Sequence, residues 1–266
     1  MEKPQQSDAP YPYADAVNNP RIPPLSECAL LLDIDGTLLD FAATPREVWV
    51  PPELAISLSR LTQLTSGALA MVSGRSLNDI DLIFAPQVFP AVGGHGAELR
   101  RSSSSETIAV QASPLDKELK RRLAALAKIS PGILLEDKGY SLALHYRLAP
   151  HAADEIFRGV SAIQADMPEQ LIEILPGKSV CEIKHSGFTK ATGVIQLMDT
   201  APFKGRRPIF LGDDVTDQSV FTIMPEMNGI AFAVGFHAAG VDGYFDGPSN
   251  VRSWLEQLTK KNPLSA

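Results

Sequence analysis

The chain has 266 residues, 44% of them hydrophobic and 21% charged, with a formal net charge of −7. That length holds one large domain or a core with a smaller insert, and the composition is ordinary for a soluble globular protein. The acidic balance argues against nucleic acid, which is normally met by a basic face, and no apolar run approaches a membrane span.

The first 24 residues are rich in Pro and polar groups and lack the apolar core of a secretory leader; a disordered or loosely attached tail is expected. CALLLDI predicts a strand over Cys28–Ile34, followed by a helix over Pro52–Thr65 and a strand over Ala68–Val72. Ser73-Gly74-Arg75 is expected to open the next helix. VFPAVGGHGAELRR then crowds glycines around His95, and Ser102–Ser105 reads as a hairpin tip. Alternating strand and helix predict a parallel sheet covered on both faces.

The pattern changes near Ser113. Ser113-Pro114 offers a helix cap with Pro in the first turn, and Leu115, Leu119, Leu123 and Leu126 form one stripe. GYSLALHYR alternates Tyr140, Leu142, Leu144 and Tyr146 against Ser141, Ala143, His145 and Arg147, which predicts a half-exposed antiparallel strand. A helix over Ala152–Met167 and strands over Leu171–Leu175 and Ser179–Lys184 complete an α+β module. Residues 108–185 therefore read as an inserted cap, with 25–107 and 186–266 forming an α/β core and hinges near 105–110 and 184–188. The alternation resumes with a helix over Thr189–Met198, strands over Pro208–Leu211 and Ile230–Val234, and a last helix with Val251, Trp254, Leu255 and Leu258 on one face. Cys28 and Cys181, each inside an expected strand, read as reduced thiols and point to the cytoplasm.

Two stretches carry chemistry. DIDGT places Asp33 and Asp35 at the end of the first strand, and side-chain alternation gives them a common face. GDDVTD places Asp213, Asp214 and Asp217 behind a second apolar strand. Strands of one sheet bring such ends together at its carboxyl edge, where open α/β sheets bind ligands. So many carboxylates require a counter-ion, and an all-oxygen donor set suits Mg²⁺. The Ser73 hydroxyl with nearby backbone N–H groups, and Lys190 opposite, would hold an anion in the same crevice.

Together these residues resemble the haloacid dehalogenase superfamily of phosphatases. The elements are DIDGT, the serine of MVSGR, a lysine after the insert and GDDVTD. The resemblance implies a Rossmann-like parallel-sheet core with an inserted α+β cap of the C2 type. It implies Asp33 as nucleophile through an aspartyl-phosphate and Asp35 as general acid and base. Ser73, Gly74 and Lys190 would hold the phosphoryl group. Magnesium would sit on Asp33, the Asp35 carbonyl and Asp213, with Thr37, Asp214 and Asp217 behind them. Lys184 competes for the lysine role, since Ala191 stands where the family commonly has Gly; its place on the preceding strand favours Lys190.

MVSGR, GGHGAE, LEDKGYSLALHYR and CEIK, in that order, are similar to the bacterial trehalose-6-phosphate phosphatases. That narrower likeness implies Arg75, His95, Glu136, Lys138 and Glu182 as sugar-binding residues. It implies a small-molecule sugar phosphate as the partner, without nucleic acid, membrane or partner protein. The alternatives are a phosphatase of sucrose phosphate or mannosyl-phosphoglycerate, or a non-catalytic sugar-phosphate sensor.

Overall fold

The computed structural model describes residues 22–41, 48–104, 109–110, 112–177 and 179–261. Most of the expected tail, Ser105 of the serine run and part of the first hinge lie outside the described residues.

The first apolar run forms β1 (Cys28–Leu32), and all five of its residues are buried. After it come α1 (Pro52–Leu64), β2 (Leu69–Val72), α2 (Leu77–Phe84) and β3 (Ala91–Gly93). The edge strands β4 (Glu98–Arg100) and β5 (Ala109–Val110) follow. The later part of this unit contains α5 (Lys190–Met198), β10 (Arg207–Gly212), α6 (Gln218–Ile223), β11 (Ile230–Val234), β12 (Gly243–Phe245) and α7 (Pro248–Lys261). Between the two parts lie α3 (Lys117–Ala125), β6 (Leu134–Asp137), β7 (Ser141–His145), α4 (Ala153–Asp166), β8 (Ile172–Gly177) and β9 (Val180–His185).

The large sheet has the order β12-β11-β10-β1-β2-β3-β4-β5. Its strands from β12 to β3 run parallel, and only β4 and β5 pair antiparallel. The sheet is therefore mixed. Apolar side chains cover both faces. Leu30, Leu32, Met71, Ile209 and Phe232 pack with α1, α2 and α7, and Leu31, Val72, Phe210 and Ala231 pack with α5 and α6. Burial on both sides explains why these strands read as unbroken apolar runs. From β1 the chain passes to β2 on one side and later to β10 on the other. The carboxyl ends of β1 and β10 thus flank the point where strand order reverses, the standard ligand crevice of such sheets.

The second sheet has the order β6-β7-β9-β8 and is antiparallel throughout. One face, with Leu142, Leu144, Cys181 and Ile183, packs on Leu119 and Leu123 of α3 and Ile156, Val160 and Ile163 of α4. Each such leucine contributes about 1.5–3 kcal/mol by leaving water. The register Glu136–Ala143–Glu182–Leu175 lines the other face.

Three expectations are corrected. Ser73 does not open a helix: α2 starts at Leu77, capped by the Ser76 side chain, which accepts from the Asp79 N–H. Ser113-Pro114 does not start α3: the Asp116 carboxylate caps it, accepting from Glu118 and Leu119. β7 is not half-exposed. Ser141 and Ala143 are as buried as Leu142 and Leu144, because small side chains let this strand sit centrally under covered faces. Among the described residues, no helix is long and apolar enough to cross a membrane.

The corrected cap gives a test. Asp116→Ala removes two hydrogen bonds to orphan helix amides and is expected to cost about 1 kcal/mol in urea unfolding. Ser113→Ala, at an exposed site outside the helix, is expected to change stability by less than about 0.5 kcal/mol. The reverse order would contradict the assignment.

Candidate active site

β1 ends one residue short of Asp33, whose backbone N–H still pairs with the Leu211 carbonyl of β10 at 3.0 Å. This fixes its side chain at the carboxyl edge, where it is 4% exposed. Lys190 begins α5 behind a Thr189–Thr192 capping box. Its Nζ donates to Asp33 Oδ1 at 2.8 Å and to Asp217 Oδ1 at 2.7 Å. The other Asp217 oxygen accepts from the backbone N–H groups of Asp213 and Asp214 at 3.0 and 3.1 Å. Asp217 thus ties the lysine to the loop after β10.

Asp213 completes the group, and oxygens of Asp33, Asp213 and Asp217 lie within 4.8 Å of one another. Gly36, at φ +85°, makes room: a Cβ there would lie 2.0 Å from Asp213 Oδ2. Thr37 Oγ1 donates to the other Asp213 oxygen at 3.3 Å. Unit charges about 4 Å apart interact by roughly 4 kcal/mol at an effective dielectric of 20. Three carboxylates against one ammonium therefore leave an excess of negative charge. Burial, with the neighbouring carboxylates, raises the Asp33 pKa well above its ordinary value although Lys190 opposes this. Burial and Asp217 push Asp213 up to about 6. Burial disfavours the charged form of Lys190, but Asp217 and Asp33 outweigh it and hold the ammonium protonated. The donor set fits a divalent cation: its oxygens are hard, and the unbalanced charge is about two units. Asp217 has both oxygens committed to hydrogen bonds, so Asp33 and Asp213 are the carboxylates with capacity to spare.

Asp35 goes a different way. It lies past the strand, in a turn bridged to Leu39, so strand alternation does not govern it. Its carboxylate is held by Arg75 through Nε at 2.5 Å and Nη2 at 2.7 Å. Its side chain does not belong to the three-aspartate cluster, and the structure leaves its carbonyl as an expectation. Ser73 is buried directly after β2, and its Oγ accepts from the Arg75 N–H at 3.2 Å. Asp214 is exposed and caps the following turn through the Thr216 N–H.

Lys184 is excluded from the site. Its Nζ donates to Glu173 at 2.6 Å and to the carbonyls of His185 and Phe188, pinning the return crossover.

The second sheet roofs the crevice. Lys138 Nζ reaches the Gly74 carbonyl at 3.3 Å and Glu182 Oε1 at 3.4 Å. Glu182 also accepts from Ser141 Oγ at 2.8 Å and faces His95 Nε2 at 3.4 Å. Burial opposes its charge, yet Lys138, His95 and Ser141 hold its pKa well below the usual carboxylate range. His95 adopts φ 55°, and Gly74 admits its ring, since a Cβ there would lie 2.4 Å from Nε2. Glu136, half-exposed on β6, accepts from His145 Nε2 at 2.9 Å, and that hydrogen bond lowers its pKa. His95, Lys138 and Glu182 thus meet between the two sheets, Arg75 is held on Asp35 at the core side, and Glu136 stands farther out on the same roof face. Sequence reasoning missed Ser141 and His145 as partners of these acids, and missed Glu98 and Tyr140.

Comparison with known proteins places the chain. The sequence model of the trehalose-phosphatase family matches residues 31–242. A trehalose-6-phosphate phosphatase of Escherichia coli is 36% identical over 231 residues, 87% of this chain and 86% of that protein. A probable trehalose-phosphate phosphatase of Sinorhizobium fredii is 41% identical over 212 residues, 79% of each. In fold, the C-terminal domain of Candida albicans trehalose-6-phosphate phosphatase matches with a TM-score of 0.77 at 19% identity, over 88% of this chain and 92% of that one.

The crowded carboxylates predict a linked effect of pH and metal. Asp213 binds its proton up to about pH 6 when folded, against an ordinary value of 3.8. The folded state therefore holds more protons between these values, and metal-free stability falls as pH rises through that window. Mg²⁺ is expected to raise the unfolding midpoint more at pH 7.5 than at pH 5. An equal rise at both, or none, would contradict the metal reading.

Proposed function

Because the chain belongs to the trehalose-phosphatase family, we propose that it hydrolyses trehalose 6-phosphate to trehalose and inorganic phosphate, with Mg²⁺ as its metal. The coarser activity, a phosphatase of the haloacid dehalogenase type acting on a sugar phosphate, follows from that membership. The observation that carries the choice of sugar is the extent of the likeness, which spans both units of the chain and about four fifths or more of each bacterial relative.

In this reading an Asp33 oxygen attacks phosphorus in line, the bond from phosphorus to the sugar oxygen breaks, and Asp35 gives that oxygen a proton. Asp35 then takes a proton from water, whose oxygen attacks phosphorus and breaks the bond to Asp33, releasing phosphate. Arg75, which holds the Asp35 carboxylate, orients it for both transfers. Lys190 and Ser73 hold phosphoryl oxygens, with the ammonium offsetting charge that gathers in the transition state. Asp33 and Asp213 would hold Mg²⁺, which would supply further charge neutralisation for the phosphoryl group when bound. Glu136, Lys138 and Glu182 are well suited to chelate adjacent hydroxyls of a disaccharide through charge-assisted hydrogen bonds. Cys28 and Cys181 are buried free thiols, which supports a reducing, cytoplasmic setting.

Phosphate release from trehalose 6-phosphate, glucose 6-phosphate and sucrose 6-phosphate, with Mg²⁺ and with EDTA, tests this. The expected result is metal-dependent release with a preference of at least about tenfold in kcat/KM for trehalose 6-phosphate. Preference for another ester would keep the chemistry and overturn the substrate. Glu182→Ala should lower kcat/KM on the disaccharide by roughly 100-fold, the weight of a buried charged hydrogen-bond partner, and on p-nitrophenyl phosphate by only about twofold. Equal losses on both would contradict the role given to the roof.

A further inference from the structure

A second buried contact joins the two units away from the carboxylates. Tyr140 lies just before β7 and is 6% exposed. Its hydroxyl donates to Glu98 Oε1 at 3.0 Å. The other oxygen of Glu98 accepts from the Leu77 N–H at 2.6 Å. Leu77 opens α2, directly behind the segment carrying Ser73 and Arg75. The Tyr140 ring packs with Ala97, Ala112 and Phe188, and Ala112 and Phe188 stand on the two crossovers between the units. The backbone is fitted to this contact. Gly94 has φ +54°, and a Cβ there would lie 2.3 Å from the Tyr140 oxygen; one on Gly93 would lie 3.2 Å from Glu98 Oε2.

We propose that Glu98 is a positioning residue: through Tyr140 it registers the seating of the roof, and through the Leu77 amide it imposes that seating on the Ser73–Arg75 loop. The proposal rests on the phosphatase reading above and adds to it a link between closure and the phosphate-holding loop. Asp33 and Lys190 are each 4% exposed, and Lys138 of the roof reaches the Gly74 carbonyl beside Ser73; in this proposal the roof lifts to admit a sugar phosphate. Lifting takes the phenol away from Glu98, and a carboxylate that loses a buried donor no longer has a single preferred place. Seating restores a donor to each oxygen. The loop that holds the phosphoryl group and Arg75 is then completed only under a closed roof, which couples water exclusion to assembly of the site.

Tyr140→Phe keeps the ring and its packing and removes only the hydroxyl. The variant and the parent protein are compared in hydrolysis of trehalose 6-phosphate and p-nitrophenyl phosphate, and in amide hydrogen exchange across residues 73–84. The expected result is a loss of about tenfold or more in kcat/KM for both esters, since each needs the Ser73 loop, and roughly tenfold faster exchange in that segment. In a Glu98→Gln background, Tyr140→Phe should cost less than about twofold, because the two groups act as one unit. Unchanged exchange, an unchanged rate on the aryl ester, or full additivity with Glu98→Gln would each overturn the link. If the parent protein fails on trehalose 6-phosphate while exchange responds as expected, the substrate reading falls and the link is supported.

Discussion

The Lys190 ammonium, buried between Asp33 at 2.8 Å and Asp217 at 2.7 Å, makes the centre of this molecule possible. Two strand ends deliver carboxylates to one crevice, and without an internal cation their mutual repulsion and desolvation would drive them apart or protonate them. The lysine reaches them because α5 starts at the Thr189 cap, and the backbone packs closely there: a Cβ on Gly96 would lie 2.1 Å from the Thr189 carbonyl. Asp217 passes the constraint on, since it holds the lysine with one oxygen and the Asp213–Asp214 backbone with the other. The same cluster leaves negative charge over for a divalent cation. Structural order and chemical readiness therefore come from one arrangement.

The roof obeys a similar logic of buried, paired charge. Glu182 is surrounded by Lys138, Ser141 and His95, two from its own unit and one from the core. The polar contacts that cross from these groups to the core are long, His95 to Glu182 at 3.4 Å and Lys138 to the Gly74 carbonyl at 3.3 Å, so the seam holds together without being locked. A seam of this kind suits a surface that parts and closes again, as the proposed function requires.

Much of this was legible in the sequence because burial on both faces leaves an apolar run that can hardly be read otherwise. β1, β10 and β11 fall where CALLL, PIFLG and IAFAV predict them, and the acidic clusters follow the first two directly. Helix starts were less legible. SGRS offers two serines, and the favourable one is Ser76, because Asp79 stands three residues on as a capping partner; Asp116 was findable only from the general preference for Asp at a helix N-cap. The small residues of β7 were read as marks of a solvent face, whereas they are buried in a central strand of the second sheet. Glu98 carries no local signal at all: a glutamate beside glycines becomes meaningful only when Tyr140, forty-two residues later, is brought against it.

The account centres on Asp33 as the group that takes the phosphoryl. Borohydride reduction of the protein quenched during turnover converts an aspartyl-phosphate to homoserine, and peptide mass spectrometry then locates the changed residue. The account predicts homoserine at position 33 only, and none when substrate is omitted. Modification at Asp35 or Asp213 instead, or rapid phosphate release with no modified aspartate, would contradict it.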